Sequence, residues 1–369
     1  MAFATRAATP GRLFDCRVQS FLMLIMNVGD LLDKMGRWLL VNAPALARLY
    51  ARCLRGRPQQ PKPVPGWTFA GEYYPQRRWM ALRRGALWEC ALEKGLNVPL
   101  VVPWMAGCEV ELTLGNDNSL CVYVAGSFEP NEFAFVDRVL RPGMVFVDIG
   151  ANEGLFTLFA ARRVGNSGRV IAIEPSARER AILTSNVARN GLGNVAIVPH
   201  AMAAEPGVAD LLIAPKEHGF HNTLGGFIYE GETAIASERI VVETLDGLHK
   251  RLALGRVDVV KIDVEGAELK VLGGARSLLS TYRPILLVEA NEEALKRQAA
   301  STGAMLSLLL SFDYRIHVFA DSGMTERWTE GMALSANIVA LPGDHGVEDR
   351  DSQAPLLGRP ARPVSPKDF

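Results

Sequence analysis

Apolar positions along the chain change period, and the changes mark out its elements. Val145 to Ile149 is an unbroken apolar run apart from Asp148, and Arg169 to Ile173, Ala196 to Val198, Val257 to Ile262 and Ile285 to Val288 read alike. Short runs of this kind, bounded by turn residues, predict strands buried on both faces. Between them the spacing turns helical over Gly154 to Arg163, Ala177 to Asn190 (with Gly191 as a C-terminal cap), Ala267 to Leu279 and Ala294 to Leu310. Val208 to Ile213 and Ile240 to Val242 read as extra strands bracketing a glycine-rich loop, and Tyr314 to Phe319 with Ala336 to Leu341 can close the sheet as a hairpin. Buried strands alternating with helices predict an α/β fold: a doubly wound, mostly parallel sheet with ligands at the carboxyl ends of its strands.

Upstream, Val110 to Leu114 and Leu120 to Val124 flank Gly115-Asn116-Asp117-Asn118 and predict a small β-hairpin segment before the core, followed by a helix over Glu129 to Leu140 and an Arg141-Pro142-Gly143 turn. Leu24, Val28, Leu31, Leu32, Met35, Leu39 and Leu40 recur at helical spacing and predict an N-terminal helical extension. The expected organisation is a basic helical extension over 1–57, a proline-rich linker over 58–66, an α/β segment over 67–140, the main domain over 141–342, and a disordered tail over 343–369.

Composition narrows the function classes. Hydrophobic residues make up 49% of 369 and the formal net charge is zero, which excludes a wholly disordered chain and argues against a nucleic-acid binder. Charge is uneven, however. Residues 1–66 hold ten Lys or Arg against three Asp or Glu, so that segment carries +7 and the remainder −7. A basic amphipathic stretch can contact a membrane surface or a partner, or pack on its own domain. The longest apolar stretch there, Phe21 to Val28, is too short to span a bilayer. The five cysteines are scattered without a CxxC pair and predict reduced thiols and a cytoplasmic location.

The strongest chemical signal is Val145-Phe146-Val147-Asp148-Ile149-Gly150-Ala151-Asn152-Glu153-Gly154, a strand running through a glycine-flanked turn into a helix. The glycines would let backbone approach a ligand, and Asp148 can accept from an amino group. Glu174, before Pro175 at the end of the next strand, is placed for ribose hydroxyls. A dinucleotide site wants GxGxxG. Here the spacing is GxxxG, and Asp148 and Glu153 put negative charge where a pyrophosphate would lie. A phosphate-free nucleoside with an amino-acid end fits better, and S-adenosylmethionine is that cofactor. Asp148, Gly150, Asn152, Gly154, Glu174 and Pro175 are its predicted contacts.

The second signal is Lys261-Ile262-Asp263-Val264-Glu265-Gly266-Ala267-Glu268. Alternation puts Lys261 and Asp263 on one side, and Asp263 and Glu265 at the rim shared with Asp148. They could orient a substrate hydroxyl or take its proton. Otherwise Lys261 and Glu268 would form a buried ion pair, with Glu265 as a cap. Glu289, at the next strand end, could border the pocket. His218 and His221, in the glycine-rich loop, offer neutral imidazoles as competing bases, with His221 the preferred one. No third ligand stands near that pair, so no metal is expected. GxSxG, GxxxxGK[ST] and the Asn/Asp-Pro-Pro-aromatic loop of amino-group methylation are all missing.

From Val110 to Leu341 these strings resemble the FkbM family of S-adenosylmethionine-dependent methyltransferases, with Gly126-Ser127-Phe128-Glu129-Pro130-Asn131-Glu132, Arg141-Pro142-Gly143, Glu243-Thr244-Leu245-Asp246 and Gly273-Gly274-Ala275 added to the two above. Glu153 departs from the family, which more often has a small or apolar residue there, and is expected to face solvent. The resemblance implies a class I methyltransferase fold and O-methylation of a sugar, glycolipid or natural product. The rivals are a nicotinamide-dependent oxidoreductase and a non-catalytic nucleoside-binding module tethered to a membrane or partner. Oligomeric state is left open.

Overall fold

The computed structural model describes residues 28–54, 58–67, 78–215, 218, 222–224 and 234–343. Residues 1–27, the loop containing His221 and the tail beyond Gly343 lie outside them.

The described residues supply thirteen strands: β1 (Val98–Pro103), β2 (Glu109–Leu114), β3 (Val145–Ile149), β4 (Arg169–Ile173), β5 (Val195–Val198), β6 (His200–Met202), β7 (Gly207–Ile213), β8 (Ala236–Glu243), β9 (Val259–Ile262), β10 (Ile285–Glu289), β11 (Tyr314–Phe319), β12 (Thr325–Arg327) and β13 (Asn337–Pro342). The main sheet has the order β12-β11-β13-β10-β9-β3-β4-β5. Strands β5, β4, β3, β9 and β10 run parallel, and β13 is inserted antiparallel between β10 and β11. This is the predicted doubly wound α/β sheet, and every residue of β3 and β9 is buried, as their unbroken apolar character requires.

Strand alternation sends the two faces into separate cores. Val147, Ile149, Val260 and Ile262 pack with the helices Leu245–Arg251, Glu268–Gly273 and Thr302–Ser311. Phe146 and Val259 pack on the other side with Phe133 of helix Pro130–Val139, Phe156 and Phe159 of helix Leu155–Val164, and the N-terminal elements. Asp148 and Lys261 share this second face and are paired in register. The separate three-stranded sheet, β6-β8-β7, contains both extra strands, paired antiparallel.

Several expectations are corrected. The hairpin over 110–124 does not form: β2 pairs with β1 instead, and residues 120–125 are helical. The deciding contacts are reciprocal. Asn116 accepts from the Ser119 amide at 2.9 Å and Ser119 Oγ accepts from the Asn116 amide at 3.2 Å, a capping box that starts a helix where a turn was read. The predicted helix over Ala267 to Leu279 is two short ones, Glu268–Gly273 and Arg276–Thr281, and the last long helix is likewise split into Glu292–Arg297 and Thr302–Ser311. In the second split the Ser301 side chain accepts from the Ala304 amide at 3.1 Å and starts a new helix.

The proline-rich segment lies against the domain. Gln59 bonds both ways with the Phe128 backbone, at 2.8 and 2.7 Å, the Val64 amide donates to Asn131 at 2.7 Å, and the Gly66 amide to the Asp321 carbonyl at 2.8 Å. It thereby holds the loop that carries Glu129. Among the described residues no helix is long and apolar enough to cross a membrane.

Candidate active site

The tips of β3, β4, β9 and β10 form one rim. After β3 the chain turns through Gly150, Asn152 and Gly154, all at positive φ (81°, 49° and 96°). The Gly150 and Ala151 amides both donate to the Ile173 carbonyl at 3.0 Å, tying the turn to β4. At Gly150 a Cβ would lie 1.8 Å from the Asp263 carbonyl oxygen, and at Gly154 2.6 Å from Leu183 Cδ1. At Gly150, close packing against backbone therefore leaves no room for a side chain.

Asp148 is buried (1% exposed); one oxygen accepts from Thr157 Oγ1 at 2.6 Å and the other, Oδ1, has no hydrogen-bond partner among the described residues. Glu174, also buried, accepts from the Asn152 amide and the Ser176 amide, both at 2.9 Å. Burial pushes the Glu174 carboxyl up to about 8, with Glu179 adding to it. Asp148 is raised by burial too, against the opposing pull of Lys261. Pro175 is half-buried and its carbonyl accepts from Arg180 at 2.6 Å. The Asn152 side chain accepts from Asn118 at 3.0 Å, so the turn before residue 120 braces the loop.

Glu153 does not face solvent. It is 3% exposed, accepts from Asn116 Nδ2 at 3.0 Å, and burial pushes its carboxyl up to about 8. A carboxyl raised in the folded state favours folding most below its ordinary value and loses that advantage as pH climbs through the raised one. Glu153→Gln keeps an acceptor for Asn116 and removes the titration. It is expected to raise stability at about pH 8 by on the order of 2 kcal/mol and to change little near pH 5. Thermal melts at the two pH values check this, and equal shifts at both would contradict it.

Lys261, beneath the rim, is 4% exposed. Its Nζ donates to Asp263 at 2.6 Å and sits 4.8 Å from the Phe156 ring centre, a ring stacked on Phe133 at 4.0 Å. Burial alone would depress the lysine, but Asp263, Glu129 and Asp148 outweigh it and raise its pKa. The alternative pairing of Lys261 with Glu268 does not form. Glu268 instead accepts from the Val264 and Gly266 amides, at 3.0 and 3.1 Å, and holds the connection leaving β9.

Asp263, Glu265 and Glu289 each place a carboxylate oxygen within 4.8 Å of the others. That spacing is close enough to share a proton or a cation, although no metal was expected. Glu265 sits at φ 53° and its carbonyl accepts from Thr223 at 3.2 Å. Glu289 keeps a buried Oε2 without a hydrogen-bond partner, and its carboxyl is raised well above the ordinary range by burial and then by Glu265 and Asp263. His218 lies 3.3 Å from Asp117. His221 lies outside the described residues. His200 pairs with Glu243 at 2.9 Å.

Three residues were given no role from sequence. Glu129, at φ 39° and 8% exposed, and Glu132 both accept from Asn337 of β13, at 3.1 and 3.2 Å. Burial, then Glu132, pushes Glu129 up to about 8. The string Glu129-Pro130-Asn131-Glu132 was visible, but nothing in it pointed to Lys261.

The rim is thus rich in carboxylates around one buried cation, a setting that favours a positively charged, phosphate-free ligand and repels a pyrophosphate. Residues 148–316 match the sequence model of the methyltransferase FkbM domain. That segment, just under half of the chain, is similar to the FkbM methyltransferase domain. The chain's similarity to 31-O-demethyl-FK506 methyltransferase FkbM of Streptomyces tacrolimicus is 31% identity over 161 residues, 37% of this chain and 60% of the relative. To the AMB antimetabolite synthetase AmbE of Pseudomonas aeruginosa it is 29% over 218 residues, 50% of this chain and 10% of that protein. The chain therefore spans well under two thirds of the length of each. The solved methyltransferase FkbM from Methylobacillus flagellatus superposes with a TM-score of 0.35 at 16% identity, over 61% of this chain and 53% of that one.

The residues present fit S-adenosylmethionine. Its sulfonium and ammonium charges match the acidic rim, Asp148 keeps an oxygen free of hydrogen bonds among the described residues, and Glu174 stands at the tip of the next strand.

Proposed function

We propose that this enzyme transfers the methyl group to a hydroxyl oxygen of a small molecule, namely a sugar, a glycolipid or another natural product. The observation that carries the reading is the grouping of Asp263, Glu265 and Glu289 at the tips of β9 and β10, beside Asp148. Bound S-adenosylmethionine supplies an electrophilic methyl carbon. Asp148, Asn152 and Glu174 would hold the cofactor. Asp263, held by Lys261 Nζ at 2.6 Å, would orient the acceptor hydroxyl, and Glu265 would take its proton as the C–O bond forms and the S–C bond breaks. The relative that is named for methylating an oxygen, in Streptomyces tacrolimicus, supports the same assignment.

Incubation with S-adenosylmethionine and a panel of polyhydroxylated and amine acceptors, followed by mass spectrometry of the products, tests the proposal. A methyl ether is expected; methylation confined to nitrogen would overturn it. Asp263→Asn is expected to lower turnover by roughly a hundredfold or more while cofactor affinity is retained. Loss of cofactor affinity with the fold intact would instead place Asp263 among the cofactor contacts.

A further inference from the structure

The N-terminal helices carry a feature that methyl transfer leaves unused. Helix 28–42 buries Gly36 and Leu40 against the domain, with Leu32 and Leu39 half-buried beside them. A second stripe on the same helix (Val28, Leu31, Met35 and Trp38) is exposed, Leu31 at 66% and Trp38 at 60%. The helical spacing groups Leu31 and Met35 with Leu32 and Leu40; the structure splits that set. The next helix, Pro44–Leu54, repeats the arrangement: Ala47, Ala51 and Leu54 are buried, while Leu46 (56%) and Leu49 (59%) are exposed together with Cys53. With Val41, seven of the thirteen exposed large apolar side chains among the described residues fall in these two helices. Scattered exposed apolar residues are ordinary; a concentration of this kind marks an interaction surface.

Charge decides between occupants. Helix 28–42 balances Asp30 and Asp33 against Lys34 and Arg37, while helix Pro44–Leu54 adds Arg48 and Arg52, both exposed, and no acidic residue. The segment 1–66 carries +7 in a chain of zero net charge. A two-fold contact between copies would set this basic surface against itself, whereas anionic headgroups complement it. Leucine and tryptophan on one side with arginine alongside is the pattern of a helix lying in a bilayer interface. The apolar spacing also continues upstream in the sequence, through Leu24 and Phe21.

We propose that the exposed faces of helices 28–42 and Pro44–Leu54 dock this enzyme on the surface of an anionic lipid bilayer, without spanning it. The proposal is independent of the acceptor, so the test does not use methyl transfer. The full chain is floated with vesicles of phosphatidylcholine alone or mixed with phosphatidylglycerol. The wild type is expected to float with the mixed vesicles and to release at high salt. The double variant Leu31→Gln, Trp38→Gln is expected to lose partitioning by roughly tenfold or more with an unchanged thermal melt, because both side chains are solvent-exposed. Arg48→Gln with Arg52→Gln should weaken flotation on the mixed vesicles. Failure of the wild type to float with anionic vesicles would overturn the proposal, as would equal flotation of the Leu31/Trp38 variant. A dimer by light scattering that this variant dissociates, without flotation, would assign the face to a second copy.

Discussion

Lys261→Met is expected to destabilise the enzyme by about 3–5 kcal/mol, the range for stripping the partner from buried charges. The side chain is 4% exposed and bonded to Asp263 at 2.6 Å, with Glu129 and Asp148 also relying on its charge. Methionine fills most of the volume beside Phe156, so the loss is electrostatic. The sign of the pH dependence follows. Without the lysine, the Glu129 and Asp148 carboxyls are driven further above their ordinary values, so the folded state binds protons more tightly than the unfolded chain. The variant's deficit is therefore smallest near pH 5 and grows as pH rises towards about 8, the value reached by Glu129 in the parent protein. Denaturant melts at both pH values measure it. A deficit below about 1 kcal/mol at pH 8, or one independent of pH, would show that Lys261 does not neutralise this cluster.

The second large effect is expected at Gly150→Ala. Its backbone sits at φ 81°, and the added Cβ would lie 1.8 Å from the Asp263 carbonyl oxygen. That oxygen belongs to the connection leaving β9, which cannot retreat without breaking the amide bond from Asp263 to the Ile149 carbonyl, 3.1 Å long. Left-handed backbone costs about 1 kcal/mol for alanine, and the overlap adds more, for a total of roughly 3 kcal/mol or above. Gly191→Ala is the control: φ is 60° there, but nothing lies within 4 Å of the added atom. It should cost only about 1 kcal/mol. Similar losses at the two sites, measured by urea unfolding, would contradict the packing explanation.

These two positions also show what could be read from the sequence. Strands β3, β4, β9 and β10 were legible because a strand buried on both faces leaves a continuous apolar run, and the strand-end carboxylates Asp148, Glu174, Asp263, Glu265 and Glu289 followed from their places in those runs. The Lys261–Asp263 pair followed from alternation. Residues distant in sequence were not legible. Glu129, Glu132 and Asn337 meet Lys261's surroundings only because β13 is inserted between β10 and β11. The run Leu120 to Val124 suits strand or helix equally, and the Asn116–Ser119 side-chain contacts decide it. Glu153 looked like a surface residue because nothing nearby in sequence announced Asn116 as its partner.

The account rests on the acidic rim as the cofactor's binding site. Calorimetric titration of S-adenosylhomocysteine into the wild type, Asp148→Ala and Glu174→Ala tests this most directly. One saturable site is expected in the wild type, weakened in each variant by about 1–3 kcal/mol, the size of a lost charged hydrogen bond. Undiminished affinity in both folded variants would contradict it.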